Sequence, residues 1–208
     1  MTELAQLSED QRDCLQELVN VAMGQAGDSL ARFLEVFVHL SVPRIKLVAS
    51  DEVLPEMIQL IGNIDVSAVR QGFYSTSQQV RGEAIVVFSK TSFDELAEIM
   101  AYEPDEVNEQ SEQELLLDIT NILNGACLSG LAEQLGYELN YSPPSLIGTE
   151  LNVGRLFDKE QLSWSQALLI EINYRLDNES FKCNLLMLMP GESIEVIKQS
   201  VDEFLEDL

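Results

Sequence analysis

Two stretches of the sequence carry an acidic residue three positions before an asparagine. The first pair is Glu17 and Asn20, and the second is Asp118 and Asn121. Residues three apart lie on one side of an α-helix, so each pair would project a neighbouring carboxylate and amide. A carboxylate accepts hydrogen bonds and an amide both donates and accepts them, so each pair could recognise a polar partner. Taken alone, such a polar stripe is the ordinary solvated face of a helix.

The spacing occurs twice because the sequence contains an internal repeat. A shift of 101 positions aligns both ends of the two halves without a gap, whereas the middle of each half matches poorly. Aligned pairs include Leu15 with Leu116, Asn20 with Asn121, Gly24 with Gly125, Pro43 with Pro144, and Ile85 with Leu186. We interpret residues 1–208 as a single domain of two repeats, about 8–102 and 109–203. The duplication favours a functional role for both acid–asparagine pairs.

Each half opens with an amphipathic pattern that predicts a long helix. On a helical wheel, the polar residues of the first half fall within about 60° of one another, opposite the apolar stripe. They are Asp13, Glu17, Asn20 and Gly24, repeated as Glu114, Asp118, Asn121 and Gly125. The apolar stripe of the first half comprises Leu15, Val19, Ala22, Ala26, Leu30, Phe33 and Phe37.

Glycines and prolines add two expectations about these helices. A glycine within a helix costs about 1 kcal/mol of stability relative to alanine. Because Gly24 and Gly27 are present in spite of this cost, we expect them to leave room for another surface to come close. A proline follows each asparagine by 23 residues, at Pro43 and Pro144. We expect these prolines to be structural and to end the helices.

The remaining pattern predicts an α+β fold. Candidate strands are 44–50, 72–80, 82–89, 145–153, 166–176 and 181–189, and amphipathic helices close the halves near 92–102 and 191–206. Residues 103–110 form the connector. Helix, strands and helix, twice over, predict a pseudo-two-fold arrangement in which two long exposed helices pack on one continuous, mainly antiparallel sheet. We expect Trp164 and the LLMLMP segment to belong to the core.

Charge narrows the classes of partner. The chain has 36 acidic and 12 basic residues, for a net charge of -24. Such a surface repels phosphate backbones and anionic lipid, so we exclude nucleic-acid binding and membrane binding as main roles. It favours a partner that presents Lys or Arg. Solubility or adaptation to salt is an alternative and compatible reason for the acidity.

Several kinds of chemistry are disfavoured by the residues available. His39 is the only histidine, with no triad pattern around it, so we expect it to be structural. Cys14, Cys127 and Cys183 are far apart and outside any CxxC motif, which predicts free buried thiols and no zinc site. The amino terminus does not resemble a signal peptide, and no apolar run approaches the length of a spanning helix. We therefore expect a cytoplasmic protein.

The spacing D-x3-E-x2-N-x22-P, present here as Asp13, Glu17, Asn20 and Pro43, resembles the signature of the CheC/CheX/FliY phosphatases. Its occurrence twice resembles CheC in particular, because CheX carries one such site. The resemblance covers nearly the whole chain. It implies a chemotaxis phosphatase that hydrolyses the aspartyl phosphate of a CheY-type response regulator.

The resemblance also implies a role for each site residue. The regulator holds Mg²⁺ and a Lys beside its phosphoryl group, so the phosphatase needs no cofactor of its own and supplies neither nucleophile nor metal. By position, Asn20 orients the attacking water and Glu17 pairs with the regulator's Lys. Asn121 and Asp118 are their counterparts. CheD is a further candidate partner, for which the motif assigns no residues.

The second half departs from the family pattern. Asp118 stands where the pattern has glutamate, and its carboxylate falls short by one carbon–carbon bond, about 1.5 Å. Glu114 stands where Asp or Ser is usual. These departures leave an alternative open: a non-catalytic regulatory module that binds the phosphorylated regulator or CheD without useful turnover.

Overall fold

A computed structural model describes residues 6–76, 79–89, 92–156, 166–176 and 181–206. In the first half the elements follow the order helix, strands, helix, strands and helix. They are α1 (Glu9–Leu34), β1 (Val38–Leu40), β2 (Arg44–Ala49), α2 (Val53–Ile61), β3 (Asp65–Tyr74), β4 (Arg81–Ser89) and α3 (Ser92–Ile99).

The second half has nearly the same order, with a short 3₁₀ turn in the place of α2. Its elements are α4 (Glu109–Gln134), β5 (Asn140–Tyr141), β6 (Ser145–Asn152), the 3₁₀ turn Val153–Arg155, β7 (Gln166–Leu176), β8 (Lys182–Pro190) and α5 (Gly191–Glu206). Trp164 lies outside the described residues, whereas Met187 and Met189 of the LLMLMP segment are buried as predicted.

Side chains at the start of each long helix fix where it begins. Ser8 caps α1 in a capping box with Gln11, and Glu9 and Asp10 favour the helix dipole in the first turn. Asn108 caps α4 by accepting hydrogen bonds from the backbone amides of Gln110 and Ser111.

Each long helix stops before its proline, as predicted, but the proline does not end it. Helix α1 ends at Leu34, where Glu35 adopts a left-handed conformation at φ 55°, well before Pro43. Strand β1 intervenes between the helix and the proline, and α4 likewise ends at Gln134, before Pro144. The apolar stripe is also shorter than predicted: Phe37 lies beyond the helix and is 66% exposed.

The eight strands that the structure describes form one antiparallel sheet, which confirms the predicted fold class. The order is β1-β7-β8-β4-β3-β5, with β2 also paired to β7 and β6 also paired to β3. Strands β4 and β8 therefore join the two halves at the centre. Ile85 pairs with Leu186, its own counterpart in the repeat, so a pseudo-two-fold axis passes between these residues. The duplication itself stays an inference from sequence.

The sheet has a core on each face. On one face, α1, α4, α3 and α5 cover the larger core, to which Phe88, Leu96, Leu123 and Ile194 belong. On the other face, α2 and the 3₁₀ turn cover a smaller core that includes Met57 and Val153. The closing helices α3 and α5 thus pack on the main core.

Helix α4 has the length and hydropathy of a membrane span, with a mean hydropathy of 1.4 over its most apolar 18 residues. However, 61% of that window is buried inside the protein. It also packs against α1 over the sheet. The apolar composition of α4 therefore matches its place as a core helix.

Sequence patterns missed some elements in the middle of each half. Strand β3 begins at Asp65, seven residues before the predicted strand at 72–80. The sequence pattern missed this start because the first residues of β3 are buried on both faces and show no alternation. Helix α2 was not predicted. Among the cysteines, Cys127 and Cys183 are buried and free as expected, but Cys14 is only half-buried.

Candidate functional site

Helix α1 presents the first acid–asparagine pair to solvent. Glu17 and Asn20 are both exposed, as is Asp13 one turn earlier. On the opposite side of the helix, Leu15 and Val19 are fully buried in the main core. The helix is therefore fixed by its apolar side, and the carboxylate and amide are left side by side on the outside, where a partner could reach them.

Helix α4 presents the second pair in the same way. Asp118 and Asn121 are exposed, while Leu116 and Leu123 are buried beneath them. Glu114 is exposed and accepts a hydrogen bond of 2.9 Å from the side-chain amide of Gln110. The structure therefore places all four predicted site residues on accessible helix faces, and their catalytic roles stay predictions.

The two pairs share one face of the molecule because α1 and α4 pack antiparallel. The Gln134 amide donates to the Leu18 carbonyl at 3.0 Å. One turn along, a Cβ on Gly130 would lie 3.3 Å from Ala22. The same register brings Asn121 level with Ala31 of α1. At 1.5 Å per residue, Ala31 lies about 16 Å from Asn20 along the helix axis, so the two asparagines are separated by the same axial distance. Each chain thus displays two separate acid–asparagine pairs on its helical face.

A glycine follows each pair and leaves open space. A Cβ placed on Gly24 or on Gly125 would meet nothing within 4 Å, so a partner surface could approach the backbone there. Gly27 differs from the prediction: it is buried, and a Cβ there would lie 3.0 Å from the Leu40 side chain. Its small size therefore serves packing against β1 rather than access for a partner.

Replacing Gly24 by alanine should stabilise the protein. The substitution adds helix propensity and no clash, so we expect the free energy of unfolding to rise by about 1 kcal/mol. Gly27→Ala is the matched control, because the same change in the same helix presses on Leu40. Urea denaturation would compare the two. A gain for Gly27→Ala equal to that for Gly24→Ala would contradict the described packing.

A buried amide network supports α4 beneath its site. The Asn124 amide donates to Gln71 Oε1 at 3.1 Å, and the Gln71 amide donates to the Ser142 carbonyl at 3.0 Å. The position equivalent to Asn124 in α1 is Met23, which is buried among apolar residues. Sequence reasoning did not identify this network, although an asparagine on the apolar side of a helix was a signal for it.

Burial changes the acidity of a side chain on the inward side of α4. Burial raises the pKa of the Cys127 thiol to about 12, although the neighbouring Tyr174 side chain opposes the shift. Because the thiolate is the reactive form, Cys127 is unsuited to act as a nucleophile near neutral pH. Among the described residues, no group of three or more His, Cys, Asp or Glu side chains could hold a metal ion.

Comparison with solved structures shows proteins of the same fold. FliY of Thermotoga maritima is 18% identical, with a TM-score of 0.70 over 98% of this chain and 100% of that chain. CheX of Vibrio vulnificus is 19% identical, with a TM-score of 0.56 over 83% of this chain and 99% of that chain. FliM of H. pylori, solved in complex with SpeE, is 10% identical, with a TM-score of 0.66 over 95% and 97%.

No family model matches the sequence. The solved structures cover most of the chain, and they agree with the resemblance drawn from the acid–asparagine spacing. The chain has the CheC-like fold shared by the chemotaxis proteins FliY and CheX and by FliM.

Proposed function

We propose that this protein is a phosphatase of a chemotaxis system and that it hydrolyses the aspartyl phosphate of a CheY-type response regulator. The observation that carries the proposal is the exposed pair Glu17 and Asn20 on α1, with open space at Gly24 one turn further. The CheC-like fold supports it, because solved proteins with this fold include the chemotaxis protein CheX. The activity would take place in the cytoplasm.

In the proposed reaction, α1 docks against the regulator's active site. Glu17 pairs with a regulator Lys, and the net charge of -24 favours a partner that presents such a cation. Docking costs little rearrangement because buried residues on the other side of α1 already fix the helix. Glu17 therefore sets the register in which Asn20 enters the regulator's site.

Asn20 then positions the attacking water. Its amide carbonyl accepts a hydrogen bond from the water, which attacks phosphorus in line with the aspartyl oxygen. A bond forms between the water oxygen and phosphorus, the bond from phosphorus to the aspartyl oxygen breaks, and inorganic phosphate and a free carboxylate are released. Mg²⁺ belongs to the regulator's own site and helps to neutralise charge on the phosphoryl oxygens.

The second site has the same geometry with a shorter acid. Asp118 is exposed on α4 beside Asn121, so it can meet the same kind of partner. Its carboxylate stops about 1.5 Å short of a glutamate's reach, and a misplacement of about 1 Å can cost about a hundredfold in rate. We therefore assign the larger share of turnover to the Glu17–Asn20 site.

A second candidate function is a regulatory module that binds a partner without turnover. The FliM structure favours it, since a protein of the same fold was solved in complex with SpeE. For the present chain the partner would be the phosphorylated regulator or CheD. Such a module would hold the regulator at the same helices but leave the lifetime of its phosphoryl group unchanged.

The decay of a phosphorylated regulator separates the two functions. The regulator is labelled with ³²P, freed of phosphodonor, and mixed with a tenth of an equivalent of this protein. We expect decay to be accelerated for every regulator molecule, which requires multiple turnovers. Binding is followed in parallel with a regulator bearing a stable acyl-phosphate mimic. Binding without acceleration across a panel of regulators would favour the binding module.

A further inference from the structure

An exposed apolar side chain lies on α1 beside the proposed phosphatase site. Val21 is 52% exposed, although it lies in the middle of the helix. Up to Phe33 in the last turn, the other exposed residues of α1 are polar or charged. Among the described residues Val21 belongs to neither core, and a β-branched side chain is a weaker helix former than alanine. Folding therefore gains little from a valine at this position.

Helical geometry places Val21 at the edge of the proposed site. At about 100° per residue, Gly24 lies between Asn20 and Val21 around the helix, roughly 40° from the asparagine and 60° from the valine. Glu17 lies one turn before Val21, and residues four apart are neighbours on a helix surface. A Cβ on Gly24 would meet nothing within 4 Å. A partner surface that approaches the backbone there would therefore touch the asparagine on one side and the valine on the other.

The second half repeats this arrangement on α4. Ile122 follows Asn121 directly, and it is β-branched and apolar as Val21 is. Its side chain is partly exposed, and Gly125 one turn further leaves the same open space. A single exposed apolar residue is ordinary on a protein surface. One at the same place beside both asparagines, next to an open glycine each time, indicates a role shared by the two sites.

The surroundings of Val21 favour a protein partner over a lipid surface. Asp13 and Glu17 precede it on the same side of α1, and both carboxylates are exposed. They would repel an anionic membrane. The apolar area that one valine offers beside an open glycine is small, whereas a helix that lies in a membrane interface needs a broad apolar face. This area suits contact with a single apolar side chain of another protein.

We propose that Val21 is a specificity-determining residue of the phosphatase and that it contacts an apolar side chain beside the acyl phosphate of the regulator. This inference rests on the proposed function and extends it to the surface of the partner. An ion pair with Glu17 is open to any partner that presents a lysine. The apolar contact adds a second requirement at a fixed distance from that pair, because a regulator with a charged group there would have to bury it unpaired.

Steady-state kinetics with the phosphorylated regulator test this role. Every protein carries Asn121→Ala, so that turnover comes from the first site alone. Val21→Ala removes two methyl groups from the contact and should raise KM about tenfold, whereas kcat should stay within twofold because Asn20 is unchanged. Val21→Thr keeps the branched shape without the apolar surface, and it should raise KM as well. Val21→Ile introduces the side chain of the other half and should keep the parent KM.

Val42→Ala is the matched control, because it removes the same atoms from a valine that is 67% exposed but lies between β1 and β2. Its KM should stay within twofold of the parent. Thermal unfolding checks the fold, and Val21→Ala should not lower Tm, since alanine is the better helix former. An unchanged KM for Val21→Ala, or an equal rise for Val42→Ala, would overturn the contact while the parent still turns over the regulator. A parent that does not accelerate decay would overturn the proposed function and this inference together.

Discussion

Replacing both Asn20 and Asn121 by alanine is expected to abolish the acceleration of regulator dephosphorylation while the complex still forms. Each substitution removes only the amide that orients the water and leaves Glu17 or Asp118 to dock. Both positions are exposed, so the fold should be unaffected. Loss of positioning of this kind costs at least about a hundredfold in rate. The measurement is the decay rate of ³²P-labelled regulator at saturating phosphatase.

Controls and single variants make this result specific. Asn63→Ala removes an exposed asparagine that follows α2 on the other side of the sheet, and it should leave the rate unchanged. Glu17→Gln should weaken binding of the regulator more than it slows hydrolysis of the phosphoryl group within the complex. Asn20→Ala alone should remove the larger share of turnover, because Glu17 beside it has a longer reach than Asp118. Dephosphorylation by the double variant at the parent rate would refute the proposed mechanism.

Phe88→Ala should cause the largest loss of stability among the changes considered. Phe88 is fully buried at the centre of the main core, with its ring 6.4 Å from that of Phe181. Removing a buried phenyl group leaves a cavity, which costs about 3–5 kcal/mol. In a chain of this size that corresponds to a fall in Tm of roughly 10 °C. Chemical and thermal unfolding of the purified variant would measure both.

Phe37→Ala is the matched comparison for Phe88→Ala. The same atoms are removed, but Phe37 is 66% exposed and contacts His39 rather than the core. Its effect on the free energy of unfolding should stay within about 0.5 kcal/mol. Equal losses for the two variants would mean that the described burial of one of the rings is wrong.

The placement of the candidate site residues on exposed helix faces could be predicted from sequence, because it depends on local periodicity. Helical spacing alone places Glu17 and Asn20 on one side and Leu15 and Val19 on the other, and the structure has them so. The repeat pointed to Asp118 and Asn121 in the same way. Long-range pairing gave no such signal: the amide network of Asn124, Gln71 and Ser142 joins residues far apart in sequence. Only the fold brings them together.

The same distinction explains which fold elements were predicted. The bounds of β7 and α5 match the predicted segments, because an apolar strand and an amphipathic helix each stand out locally. The ends of the long helices were not predicted, since α1 ends where Glu35 adopts a left-handed backbone conformation and not at a nearby proline. Neighbours across strands were also invisible in the sequence, since His39, Arg175 and Lys182 are brought together only through strand pairing.

Strand exchange between the halves has a consequence for how the protein could be divided. Strand β2 pairs with β7, β6 pairs with β3, and β4 pairs with β8, so every half completes the sheet of the other. A gene cut within the connector before α4 would encode two fragments, each with open sheet edges and an uncovered apolar surface. Neither would fold alone, but the two together could reassemble the whole, so the protein is a natural candidate for a split reporter.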